Sequence, residues 1–302
     1  MTGSGVIAIA TVFVLLAGPF LLWLAGWLKT RHAASPVTEG WDVRLSIASA
    51  LLFVLAFNLT FFIQELFLVL PKAFTPGLRP TLFHNNHSWD GGNPLASLFQ
   101  GTGALATLLA GCLSILFLRR GASRSKSIRI FLFWMGYCGL FMALPQIVVG
   151  ALSEQSDLGM FMAYISLGTA MKTMAALIAL ALIPLAAQCL ATLLLGYVAE
   201  TGQTATAKDR RQFVFRAATL PALLALPLIA LFRIPRELVE VLMVPVVVTW
   251  VGLAWIQAGA WRTVTKPGQA AAGTTAISWP LGTVMCLLLV FQVLLRPGIR
   301  FY

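Results

Sequence analysis

The sequence predicts an all-α polytopic integral membrane protein of about eight transmembrane helices. Three observations predict it. Of 302 residues, 59% are hydrophobic and only 10% charged, against about 45–50% and about 25% in an average soluble domain. The mean hydropathy of +0.88 is spread along the chain instead of sitting in one anchor. Basic residues fall in every second connection, the pattern of a chain threaded back and forth through a bilayer.

A helix rising 1.5 Å per residue needs about 20 apolar residues to cross about 30 Å of hydrocarbon. Eight stretches qualify: Gly5 to Leu28, Leu45 to Leu70, Ala96 to Leu118, Ile128 to Leu152, Met160 to Val198, Phe213 to Phe232, Leu238 to Trp261 and Thr275 to Leu295. The first has no basic region ahead of it and outlasts a signal-peptide core, so it reads as a retained helix. The fifth is too long for one crossing. Either Pro184 kinks it, or Met160 to Thr173 is an interfacial piece ahead of the true span.

Lys29, Arg31 and Arg44 follow the first stretch; Arg119, Arg120, Arg124, Lys126 and Arg129 the third; Lys208, Arg210 and Arg211 the fifth; Arg262 and Lys266 the seventh. Under the positive-inside rule these connections are cytoplasmic, and both termini with the loops after stretches two, four and six lie outside. Arg233 and Arg236 run against this pattern, with Glu237 and Glu240 beside them. The expected location is the plasma (inner) membrane. Trp27, Trp41, Trp89, Trp134, Trp261 and Trp279 read as headgroup-level anchors. The net charge of +11 comes from these short clusters and forms no basic face, so no nucleic acid is expected; the partners are membrane lipids and protein partners in the membrane. Cys112, Cys138, Cys189 and Cys286 sit in apolar runs without CxxC spacing and read as packing residues.

No loop reaches the size of a soluble domain. Residues 1–302 therefore read as one transmembrane helical unit, with 71–95 as an outer-facing loop ordered by Pro71, Pro76 and Pro80. That loop concentrates the rare residue types: His84-Asn85-Asn86-His87-Ser88-Trp89-Asp90-Gly91-Gly92-Asn93-Pro94. Two imidazoles three residues apart are candidate ligands for a divalent metal such as Zn. Asp90 is near in sequence, and Glu65 sits on the second helix about 8 Å beneath its outer end. Glu65 and Asp90 are accordingly the candidate catalytic carboxylates, as third ligand or proton acceptor, and His84 and His87 the candidate metal ligands. The competing reading is ordinary Asx-rich turn chemistry.

An ionisable side chain inside a span is costly and faces a partner or water. Glu65 is such a residue, and Asn58, Gln100 and Thr102 would converge with it in a polar pocket or tie helices together. Lys72 and Arg79 read as bases snorkelling to lipid phosphate. Lys172 lies deep and needs a partner such as Glu65 if its span starts at Met160; it is interfacial if the span starts at Met174, the preferred reading. Gln146, Gln188 and Gln292 read as interhelical glue. Three functions follow: a metal-dependent or catalytic site acting on a membrane-embedded or lipid substrate, a transporter using Glu65, and a structural or assembly subunit of a membrane complex.

Overall fold

The computed structural model describes residues 2–31, 41–121, 125–199, 203–235, 238–264 and 275–302. His32, Arg124, Arg236, Glu237 and Lys266 lie outside the described residues, as does the side chain of Glu240. Among the described residues eight helices are long and apolar enough to cross a membrane: span one Gly3–Thr30, span two Val43–Ala73, span three Leu95–Arg119, span four Lys126–Leu152, span five Thr169–Tyr197, span six Ala207–Arg233, span seven Val241–Arg262 and span eight Ser278–Leu295. The all-α membrane architecture read from composition and periodicity is the architecture found.

Spans two and four form the centre. Phe53, Phe57, Phe133, Trp134, Tyr137 and Phe141 are fully buried there. Phe53 and Trp134 meet at 4.5 Å between ring centroids, and Tyr137 and Phe141 at 4.7 Å, within the range where aromatic quadrupoles attract. Trp134 is therefore a core residue and no headgroup anchor; its Nε1 donates to Ser49 Oγ at 2.9 Å, and Ser49 donates on to Ala217 O of span six. Spans three and four cross backbone to backbone. A Cβ at Gly139 would stand 2.5 Å from Gly111 Cα, so the pair of glycines sets this close approach.

Several bases counted as topology signals also bind helix ends. Arg129 is buried and donates to Tyr197 O, and Arg210 donates to Trp261 O. Gln146 donates to Gln64 Oε1, Gln188 to Thr263 Oγ1 and Gln292 to Leu231 O, the interhelical bonds expected of them.

The long fifth stretch resolves into two pieces. Ser156 caps the short helix Asp157–Tyr164, Ser166 turns the chain at φ 53, and span five starts at Thr169 with Pro184 inside it. Lys172 is thus in a first turn, 2.8 Å from Glu154 Oε1, and pairs there instead of with Glu65.

The segment after span two is the departure from pure helix. β1 (Arg79–Leu82) and β2 (His87–Asp90) pair antiparallel, with Leu82 opposite His87 and Arg79 opposite Asp90; β3 (Ile299–Arg300) joins the free edge of β1. The order is β2-β1-β3. Asn chemistry builds it: Asn86 Oδ1 accepts from His87 N, Asn85 Nδ2 donates to Arg233 O at the end of span six, and Asn93 bridges Pro76 O and Leu95 N. Gly91, at φ 111, lies against the Gly77 carbonyl, where no Cβ fits.

Candidate functional site

Span two carries Glu65, Leu68 and Lys72 along one side, at the spacing that stacks residues two helical turns apart. The helix runs through Pro71 to Ala73, longer than the apolar run alone suggests, and the added turn holds Lys72. Gln100 stands where the short helical turn Leu95–Phe99 meets the rest of span three. β2 lies over both and alternates sides, so His87 and Trp89 face the helices while Ser88 and Asp90 face away.

Four buried side chains join end to end. Glu65 Oε2 is 2.8 Å from His87 Nδ1; His87 Nε2 is 3.2 Å from Gln100 Oε1; and Lys72 Nζ donates to the same Gln100 oxygen at 2.9 Å and to Leu68 O at 2.8 Å. Glu65 is 4% exposed, Lys72 0% and Gln100 2%. Trp89 closes the assembly, its ring stacked on His87 at 5.7 Å and lying 4.5 Å from the Lys72 ammonium, a cation–π contact.

The donor pattern fixes a proton. An ammonium only donates, so the Gln100 atom it touches is the carbonyl oxygen, and that oxygen must accept from His87 Nε2–H. With Nε2 protonated, the Nδ1 to Glu65 contact needs one further proton between a ring nitrogen and a carboxylate. The pair is either imidazolium with carboxylate or imidazole with carboxylic acid. Asp157, at the start of the short helix, is the fourth charge nearby. Burial pushes its carboxyl above the ordinary aspartate value, His87 pulls it down, Glu65 pushes it up and Lys72 pulls it down.

The site departs from sequence expectation in three ways. His84 sits buried in the turn of the hairpin, and Asp90 is exposed on the far side of β2 from His87. The histidine pair, Glu65 and Asp90 are therefore not gathered, and among the described residues no group of three or more His, Cys, Asp or Glu is placed to hold a metal. Both nitrogens of His87 are already hydrogen-bonded, with an ammonium 2.9 Å from the oxygen that faces Nε2; a cation there would meet a like charge. Second, Lys72 does not snorkel to lipid but lies at the centre. Its position seven residues after Glu65 was the available signal. Third, Asp157 was missed, although a chain with ten acids gives each one weight. Arg79 is exposed, in keeping with an interfacial role. Asn58 bonds Val54 O of its own helix, and Thr102 ties span three to Phe67 O of span two, so of the expected polar pocket only Glu65 and Gln100 come together, each through His87.

Comparison with known proteins finds no family model, no curated protein and no solved structure that matches this chain.

Proposed function

We propose that this chain is a proton-coupled membrane transporter in which the Glu65–His87 pair holds the coupling proton. The buried 2.8 Å contact between Glu65 Oε2 and His87 Nδ1 carries the reading, because it requires one shared proton in a place where ionisable groups mark proton and ion paths. Lys72 supplies a positive charge beside the pair, and Asp157, whose carboxyl burial raises above the ordinary aspartate value, is its exchange partner. Asp90 has no place in this reading. By the positive-inside rule the hairpin and both termini lie outside the plasma membrane, so the proton enters from the outer face.

The test is uptake of a panel of radiolabelled solutes into proteoliposomes under an imposed pH gradient. Wild-type protein accumulates a solute, and Glu65→Gln loses gradient-driven accumulation while keeping solute exchange. Gradient-driven uptake unchanged in Glu65→Gln overturns the proposal. A second reading, a structural clasp that seats the hairpin on the bundle, is favoured by the mutual hydrogen bonding of Glu65, His87, Gln100 and Lys72. It requires that the same substitution lower thermal stability and leave every transport readout intact.

A further inference from the structure

Away from that junction, a cavity of about 690 Å³ opens between spans one, six and seven. Phe20, Trp23, Leu223 and Trp250 line it and remain half exposed, so it faces sideways into lipid. Along span seven it reaches from Val246 to Ala258, about 18 Å at the helical rise. Volume and apolar lining are those of a small-molecule site.

Two of the three helices depart from the regular α ladder beside it, and the third has a side-chain hydroxyl bonded to its ladder. Span one widens to a π turn at Phe13–Ala17 and span six at Phe215–Thr219. In span one the Val14 and Leu15 carbonyls accept from Trp255 Nε1 at 2.8 Å and Trp250 Nε1 at 2.9 Å. In span seven the Tyr137 hydroxyl bonds to the ladder itself: it accepts from Leu253 N at 3.1 Å and donates to Thr249 O at 2.7 Å. Gly252 makes room for it, because a Cβ there would enter the Tyr137 and Phe141 rings. Irregular backbone at membrane depth is tolerated where it lines a cavity, and π turns cluster at functional sites.

A residue of the cavity wall also carries an unmet polar group. Thr249 lines it and is 3% exposed, yet its Oγ1 has no hydrogen-bond partner. A threonine in a membrane helix ordinarily satisfies its hydroxyl on a carbonyl one turn back, as Thr192 does on Gln188 O in span five. Nearer the basic end, Thr219 and Gln257 satisfy each other at 2.7 Å. Leaving a buried hydroxyl unpaired is costly, a cost that a ligand oxygen accepting from Oγ1 removes.

We propose that this cavity binds a lipophilic chain carrying a carbonyl oxygen, entering from the bilayer, with Thr249 Oγ1 donating to that oxygen. Fatty acyl compounds and prenylated quinones both have this chemistry. The test titrates the full chain in detergent micelles with two probes that quench indole fluorescence on contact, dibromostearic acid and decylubiquinone, reading Trp23 and Trp250 among the nine tryptophans. Saturable quenching at one probe per chain is expected from at least one probe, and which one saturates identifies the acyl or the quinone source. Ala254→Phe, which puts a ring on the cavity wall beside Thr249, should abolish saturation. Thr249→Val, which keeps the shape, should weaken binding roughly tenfold, the factor that corresponds to about 1.4 kcal/mol for one hydrogen bond. Non-saturating quenching by both probes, equal in wild type and Ala254→Phe, overturns the proposal, as does unchanged affinity in Thr249→Val. If Ala254→Phe fails to fold, Ala17→Phe puts a ring on the wall of the same cavity from span one.

Discussion

The junction beneath the hairpin and the cavity between spans one, six and seven handle polar groups in opposite ways. At the junction, regular helices bring acid, base and amide together until Glu65, His87, Gln100 and Lys72 satisfy one another. At the cavity the backbone itself is opened by two π turns and bonded by a tyrosine hydroxyl, and one threonine hydroxyl is left over. The first arrangement makes a polar core that excludes a visitor. The second makes an apolar space that asks for one.

The contrast breaks most readily at Glu65. Glu65→Ala strands His87 and Lys72 in a buried site, and removing one member of a buried charge pair costs about 3–5 kcal/mol; thermal unfolding in detergent should show the largest loss of any variant considered. Gly252→Ala tests the cavity side. Its methyl group would enter the Tyr137 and Phe141 rings, so a loss of about 1–3 kcal/mol is expected, and a neutral result would mean that the tyrosine contact yields freely.

Lys72→Met keeps the stem and deletes the ammonium. The remaining carboxyls lose their nearest countercharge, stability falls by about 1–3 kcal/mol, and Asp157 rises further because Lys72 was lowering it. Carboxyl infrared bands followed against pH should show that rise. Asp157 itself gives a pH signature. Its carboxyl is raised in the folded protein, mainly by burial, so the folded state binds more protons than the unfolded one between the ordinary and the raised value. Its favourable contribution is complete below the ordinary aspartate value and is lost as pH rises through the raised one. Asp157→Asn should therefore flatten the Tm profile over that interval and raise Tm on its alkaline side.

The smallest effect belongs to Lys172. It pairs with Glu154, whose carboxyl is held low by the Lys172 hydrogen bond and which stands in the open. A pair with one partner in open solvent commonly contributes little. Lys172→Gln should leave Tm and probe binding unchanged, and any clear loss would mean that this end of span five is more enclosed than its exposure indicates.

The spans were legible because each is a long run of one character, and hydropathy needs no tertiary knowledge to register it. Glu65 was legible for the converse reason, an acid where acids are expensive. Gln100 was also in reach, as a polar residue at the start of the next span. Lys72 was misread because a base near a helix end has a cheap fate at the lipid surface, and only the chain folding back as β2 takes that fate away. The two histidines were read as a pair because they are close in sequence. Strand geometry separated them: His87 begins β2, whereas His84 belongs to the turn before it. The cavity left no trace in the sequence, because it is made of ordinary apolar residues and of ladder defects that no residue type announces.

The pairing of β3 with β1, Thr81 opposite Arg300 and Leu82 opposite Ile299, has a consequence for biosynthesis. Strand β1 leaves the ribosome after two spans, but its edge partner follows the eighth. Until then β1, which pairs on its other side with the strand bearing His87 and Trp89, has one unpaired margin. The hairpin over Glu65 is therefore braced late, after the bundle around it, and a nascent chain halted before span eight should carry the Glu65–His87 contact without its outer brace.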